Sequence, residues 1–222
     1  MSLITLILLA ALIGLTGGLV FLRRPAAEEV ARLRPWVFRS IIVAEWCLVA
    51  LFFLLMLLDH QNLRRFGLSL SHWREDFAWA AGIAVAAIAL GEAWWYIGQR
   101  RGWSGIAFIR ALLPRTGEEK WLALALAATA GFCEEFLYRG FAITVLGELL
   151  GSVWVAGGIA VLLFGLAHAP YGKLGVTSAL TAGVLLTLAF IASGRLTACV
   201  LAHFAYDCYA FFFSAFRREC RR

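Results

Sequence analysis

Six ionisable side chains sit inside stretches of this chain that are otherwise apolar: Glu134, Glu135, Arg139, His168, His203 and Asp207. A charge at membrane depth costs roughly 2.5–3.5 kcal/mol on insertion scales, so such residues face protein or water and mark function. On a helix, Glu135 and Arg139 stand at i and i+4 on one face, with the glutamate on the favourable N-terminal side. Glu134 is turned about 100° away and lacks that partner. One carboxylate is then neutralised by the arginine while the other stays free for chemistry. His203 and Asp207 share a helix face in the same way, so the acid can orient the ring or line the same cavity. Phe164 lies one turn before His168. Peptide hydrolysis needs a base, a water and donors aimed at a developing oxyanion, and this set can supply the base and the donors. Proton relays and ion pathways draw on the same residue types.

These residues need hydrophobic elements to hold them, and the composition supplies such elements. The chain has 222 residues, 62% hydrophobic and 15% charged, with a mean hydropathy of +0.82. Soluble domains lie near 45–50% apolar and about 25% charged, so the reading is an all-α polytopic membrane bundle rather than a soluble helical core. Seven spans are predicted: Leu3–Leu22, Ile41–Leu58, Phe77–Ile97, a long helix from Trp121 to about Leu150, Val153–Ala167, Leu174–Ala192 and Leu196–Phe216. The fourth is longer than a perpendicular crossing needs, which predicts tilt or a break near Gly140. The link from Arg23 to Arg39 reads as polar and interfacial, and Asp59–Asp76 as an interfacial turn. Gly14, Gly18, Gly157, Gly158, Gly165 and Gly183 are small residues that permit close helix approach. No repeat or second domain is evident, so 1–222 is read as one integral membrane domain.

The formal net charge of +6 suggests nucleic acid in a soluble protein, but loop basic residues in a membrane protein encode orientation, and no nucleic-acid partner is expected. With the loop after the first span inside, only Arg64, Arg65, Arg74 and Arg195 fall outside. Arg23, Arg24, Arg39, Arg100, Arg101, Lys173 and the C-terminal arginines among others fall inside. That asymmetry predicts a cytoplasmic C-terminus, and the compactness of the chain suggests a prokaryotic plasma membrane. The five cysteines form no CxxC pair and four lie in or beside apolar spans, which argues against a disulfide framework or zinc knuckle. Cys220 in the basic tail is not a prenylation box. His60 and His72 lie in a polar loop and read as surface residues.

Glu134-Glu135-x-x-x-Arg139, Phe164-x-x-x-His168 and His203-x-x-x-Asp207, in this order on successive hydrophobic helices, resemble the motifs of the CPBP family. That family contains the CAAX-processing and bacteriocin-processing (Abi-type, type II prenyl) intramembrane proteases. The resemblance covers about Trp121 to Phe213; the first three spans carry no recognised motif. It implies an endopeptidase in which Glu134 activates a water with help from His168, while His203 and Asp207 polarise the scissile carbonyl and steady the oxyanion. Glu135, Arg139 and Phe164 would be supporting residues. The family has Asn or Asp at its last motif position, and an ionised Asp cannot donate to an oxyanion, so Asp207 must orient His203 or stay protonated.

No HExxH helix, GxSxG elbow or pair of membrane aspartates offers another protease chemistry. A metal is left open: Glu134, His168 and His203 could form a three-ligand zinc site. Zinc-bound histidines need a second-shell acceptor, which Asp207 could give His203 but nothing evident gives His168. The expectation is a metal-independent glutamate protease. Glu45 and Glu92 are two further intramembrane acids, read first as structural partners of Arg139 or of a backbone donor, and otherwise as cavity-lining groups. Competing functions are a proton- or ion-coupled transporter and a catalytically silent immunity or scaffold protein on the same fold. The expected partners are membrane lipid and a protein or peptide with a membrane-proximal or lipidated segment; the sequence does not distinguish a prenylated tail from a bacteriocin leader.

Overall fold

The computed structural model describes residues 2–21, 25–68 and 72–214. Arg23, Arg24, Cys220 and the C-terminal arginines lie outside them, as do the predicted ends of the first and last spans. Every regular element among the described residues is helical. In chain order these are α1 (Leu3–Leu19), α2 (Ala27–Leu58), α3 (Trp73–Arg100), the short α4 (Ile106–Ala111) and α5 (Gly117–Glu135). A π-helical segment Phe136–Ile143 leads into α6 (Thr144–Leu150), followed by α7 (Val153–Ala167), α8 (Gly172–Ser193) and α9 (Leu196–Phe212).

Four helical segments are long and apolar enough to cross a membrane: Ala27–Leu58, Trp73–Arg100, Gly117–Leu150 and Ala169–Ser193. Three shorter apolar helices, α1, α7 and α9, lie where the other three predicted spans fall. The boundaries differ from expectation where polar residues continue a helix. Most of the link before Ile41 is helical, because α2 starts at Ala27 and passes through Pro35 without ending. Likewise α5 starts at Gly117 rather than Trp121. There the Thr116 side chain accepts from the Glu119 amide and the Glu119 carboxylate reaches back to the Thr116 amide, satisfying two orphan donors.

The helices run between two polar ends. At one end Ser2 at the start of α1 donates to Asp59 after α2, Arg65 pairs with Glu148, and Arg195 pairs with Glu75. Gly67, at φ +83°, accepts from the Leu196 amide at 3.0 Å and ties the loop after α2 to the start of α9. A side chain is disfavoured there by backbone conformation alone. At the other end Arg34 bonds Glu119 at 2.9 Å and the Ala111 carbonyl at 2.6 Å, and Arg39 pairs with Glu118. Arg64, Arg65, Arg74 and Arg195 therefore belong to one end, while Arg39, Arg115, Lys120 and Lys173 belong to the other. Among the described residues, these basic side chains thus divide between the two ends.

Tight packing sits where α5 meets α9. A Cβ added to Gly131 would lie 3.1 Å from the Phe204 amide nitrogen, so only glycine lets the two backbones approach this closely. Gly157, Gly165 and Gly183 are also against side chains of neighbouring helices, whereas Gly14, Gly18 and Gly158 have nothing within 4 Å. Around the π segment, Phe136, Phe141 and Ile143 are fully buried and interlock with Phe52 and Phe66.

Candidate active site

The break expected near Gly140 is the π segment. Its i→i+5 turns are wider than those of an α-helix, and such insertions recur at functional sites. Glu134 and Glu135 are the last two residues of α5, immediately before this widened stretch, and Arg139 lies inside it. Their adjacency sends the two carboxylates to different surroundings.

Glu135 and Arg139 are both fully buried. Glu135 Oε1 accepts from Arg139 Nη1 at 2.7 Å, as the i,i+4 spacing predicts. The same oxygen lies 2.8 Å from His203 Nδ1. Arg139 Nη2 donates to the Gly183 carbonyl of α8 at 3.3 Å, and its guanidinium lies 4.3 Å from the centre of the Phe164 ring. A buried ion pair must offset the desolvation of both charges through such extra contacts. Here those contacts join α5, α7, α8 and α9 at one point.

Glu134 faces a cavity of about 220 Å³. Its Oε2 lies 3.8 Å from His203 Nε2, and Asp207 Oδ2 lies 3.7 Å from the same nitrogen. Glu135 thus fixes one edge of the His203 ring and turns the other toward two carboxylates. His203 and Asp207 share a face of α9 as expected, but the group that orients the ring is Glu135, 68 residues away in sequence, rather than Asp207. Phe164 packs edge-on to His203, with centroids 6.1 Å apart.

His168 ends α7 and lines the same cavity. Its Nδ1–H donates to the Phe164 carbonyl at 2.9 Å, and its ring leans on Phe164 at 4.8 Å and Tyr171 at 5.4 Å. The lack of an acceptor for His168, expected from the sequence, is corrected: a backbone carbonyl one turn back serves it. Both histidines therefore have Nδ1 occupied and Nε2 turned away from that bond. Among the described residues, no three His, Cys, Asp or Glu side chains are grouped so as to hold a metal ion, so Glu134, His168 and His203 do not fit a zinc centre as placed.

The two remaining acids separate. Glu92 accepts from the Tyr209 hydroxyl at 2.8 Å and bridges α3 to α9. Glu45 does not pair with Arg139; it lines the cavity with Glu134, His168, His203 and Asp207. Its signal in the sequence was only that of an acid in an apolar span. The remaining walls are mostly apolar and include Phe38, Ile83, Leu126, Leu174 and Phe211, with Ile109 and Leu112 from the α4 region, while Tyr171, Ser178 and Tyr206 add hydroxyl groups. The cavity thus lies toward the end of the bundle that carries Arg39, Lys120 and Lys173.

One comparison bears on this arrangement. A family model described as type II CAAX prenyl endopeptidase Rce1-like matches residues 116–209. That segment of the chain is similar to the CAAX-type prenyl endopeptidases. All the motif residues from Glu134 to Asp207 fall within the matched segment, whereas Glu45 falls outside it. The likeness is to a peptidase family, and it falls on the part of the chain that carries the paired glutamates and both cavity histidines. No curated protein and no solved structure matches the chain.

Proposed function

We propose that the protein is an intramembrane endopeptidase that hydrolyses a peptide bond with a water activated by Glu134. The observation that carries this reading is the division between the two glutamates. Glu135 is locked by Arg139 and His203, while Glu134 Oε2 lies buried at the cavity with no hydrogen-bond partner among the described residues. A carboxylate without a protein donor can accept a proton from a water held beside it. His168, with Nδ1–H committed to the Phe164 carbonyl, presents Nε2 as an acceptor that helps orient that water.

His203 is the donor to the scissile carbonyl. Glu135 steadies the ring through Nδ1, and Nε2 faces the cavity beside Glu134 and Asp207, where an Nε2–H would stabilise a developing oxyanion. Asp207 acts through His203 rather than as a donor. No step is routed through a metal. The substrate class is a protein or peptide whose scissile bond lies beside a membrane-embedded or lipidated segment, since the cavity is walled by apolar side chains within the bundle. The site opens toward the basic end, which the positive-inside rule assigns to the cytoplasm of a prokaryotic plasma membrane. Labelling a cysteine at Lys173 from outside intact cells would reverse that orientation.

Purified protein in detergent should cut a lipidated reporter peptide, and Glu134→Ala should abolish cutting while the thermal midpoint stays near that of the wild type. A Glu134→Ala variant as active as the wild type would sink the reading.

A further inference from the structure

Glu45 lies in α2, a helix without recognised motif residues, yet it shares the cavity with Glu134, His168, His203 and Asp207. Its placement is built rather than incidental. The neighbouring Trp46 donates from Nε1 to Thr129 Oγ1 at 3.0 Å and stacks on Phe132, with centroids 5.5 Å apart. Both contacts are to α5, within a turn or two of Glu134, so they fix the register in which α2 presents Glu45 to the site. Glu45 Oε2 is buried and has no hydrogen-bond partner among the described residues. No lysine or arginine lines the cavity among the described residues, and the nearby Arg139 is engaged by Glu135 and Gly183. A group serving structure alone would be expected to use its oxygens; Glu92, bonded to Tyr209, does so.

The reaction proposed above leaves one task unassigned. Glu134 takes a proton from water, and His203 stabilises the oxyanion, but an amine leaves poorly unless it is protonated. We propose that Glu45 is the general acid that protonates the leaving amine, paired across the cavity with Glu134 as the base. Two carboxyl groups facing one apolar space divide such roles when one is ionised and the other keeps its proton. The water oxygen bonds to the carbonyl carbon as its proton moves to Glu134. The C–N bond then breaks as the carboxyl proton of Glu45 moves to the amine nitrogen. Acid and amine products leave, and the proton on Glu134 returns to Glu45 through water, so the cycle consumes one peptide bond and one water.

This rests on Glu134 being the base, and the leaving group separates the two ideas. A lipidated reporter peptide and its thioester analogue at the scissile position are compared, because a thiolate departs without a proton. Glu45→Gln should slow amide cleavage by roughly a hundredfold or more and leave thioester cleavage close to the wild-type rate. Glu134→Gln should lose both. Equal loss on the two substrates, or no loss on the amide, overturns the role of Glu45 while leaving that of Glu134 intact. A Glu134→Gln variant that still cuts both substrates removes the base and with it this pairing. Should Glu45→Gln fail to fold, Glu45→Asp decides: the shortened acid must lower the amide-to-thioester ratio, and an unchanged ratio overturns the proposal.

Discussion

Glu135 reaches across 68 residues of sequence to hold His203, its Oε1 2.8 Å from Nδ1, while the same oxygen binds Arg139 at 2.7 Å. One buried atom therefore couples the ion pair to the orientation of the proposed oxyanion donor. Glu135→Gln should cost stability, on the order of 3–5 kcal/mol, because it leaves Arg139 buried and uncompensated. Thermal unfolding in detergent would show this, alongside Glu134→Gln with a midpoint near that of the wild type. A stable Glu135→Gln protein beside an unstable Glu134→Gln would reverse the assignment.

Phe164 touches three of the motif residues at once: its ring lies under Arg139 and against His168 and His203. A desolvated cation over a ring face is worth about 2 kcal/mol. Phe164→Leu keeps an apolar filler but removes that face. The expected outcome is a lowered unfolding midpoint together with reduced turnover, whereas wild-type values of both would show that the ring is only a spacer.

Asp59, in the loop after α2, gives a pH signature away from the cavity. Hydrogen bonds from Ser2 first, then Gln61 and Thr5, hold its carboxyl below the usual carboxylate range. A depressed acid adds stability that is present above its unfolded value, about 3.9, and is lost as pH falls through the folded one. Asp59→Asn should therefore unfold more readily than the wild type at neutral pH, with the gap closing in acid. Midpoints measured from pH 7 down to pH 3 would test this, and parallel curves would refute it.

Removal of metal should leave activity unchanged if the water is activated by Glu134 alone. After prolonged chelation the purified protein is expected to keep its turnover, with elemental analysis giving well under one metal per chain. Stoichiometric zinc that leaves with activity and restores it on return would make Glu134, His168 and His203 ligands instead.

Local spacing made part of this site legible. The Glu135–Arg139 pair follows from four residues of separation on one helix, and the apolar runs announced the four long helices and three shorter ones because burial in lipid demands unbroken hydrophobicity. The bond from Glu135 to His203 and the approach of Glu45 depend on how α5 meets α9 and α2. Nothing in the spacing of those residues encodes that meeting. Helix starts were misplaced where polar residues take part, as at Thr116, because hydropathy is blind to a capping box.

The π segment also constrains the length of the chain. Each residue of an α-helix turns the chain by about 100°, so the widened turns of Phe136–Ile143 set the angle between the glutamates upstream and α6 downstream. Deleting a single residue there would rotate one half of the helix against the other and swing either Glu134 or the buried face of α6 out of place. Insertions and deletions should be tolerated far less in these eight residues than most substitutions, making this stretch a ruler for the helix that carries Glu134.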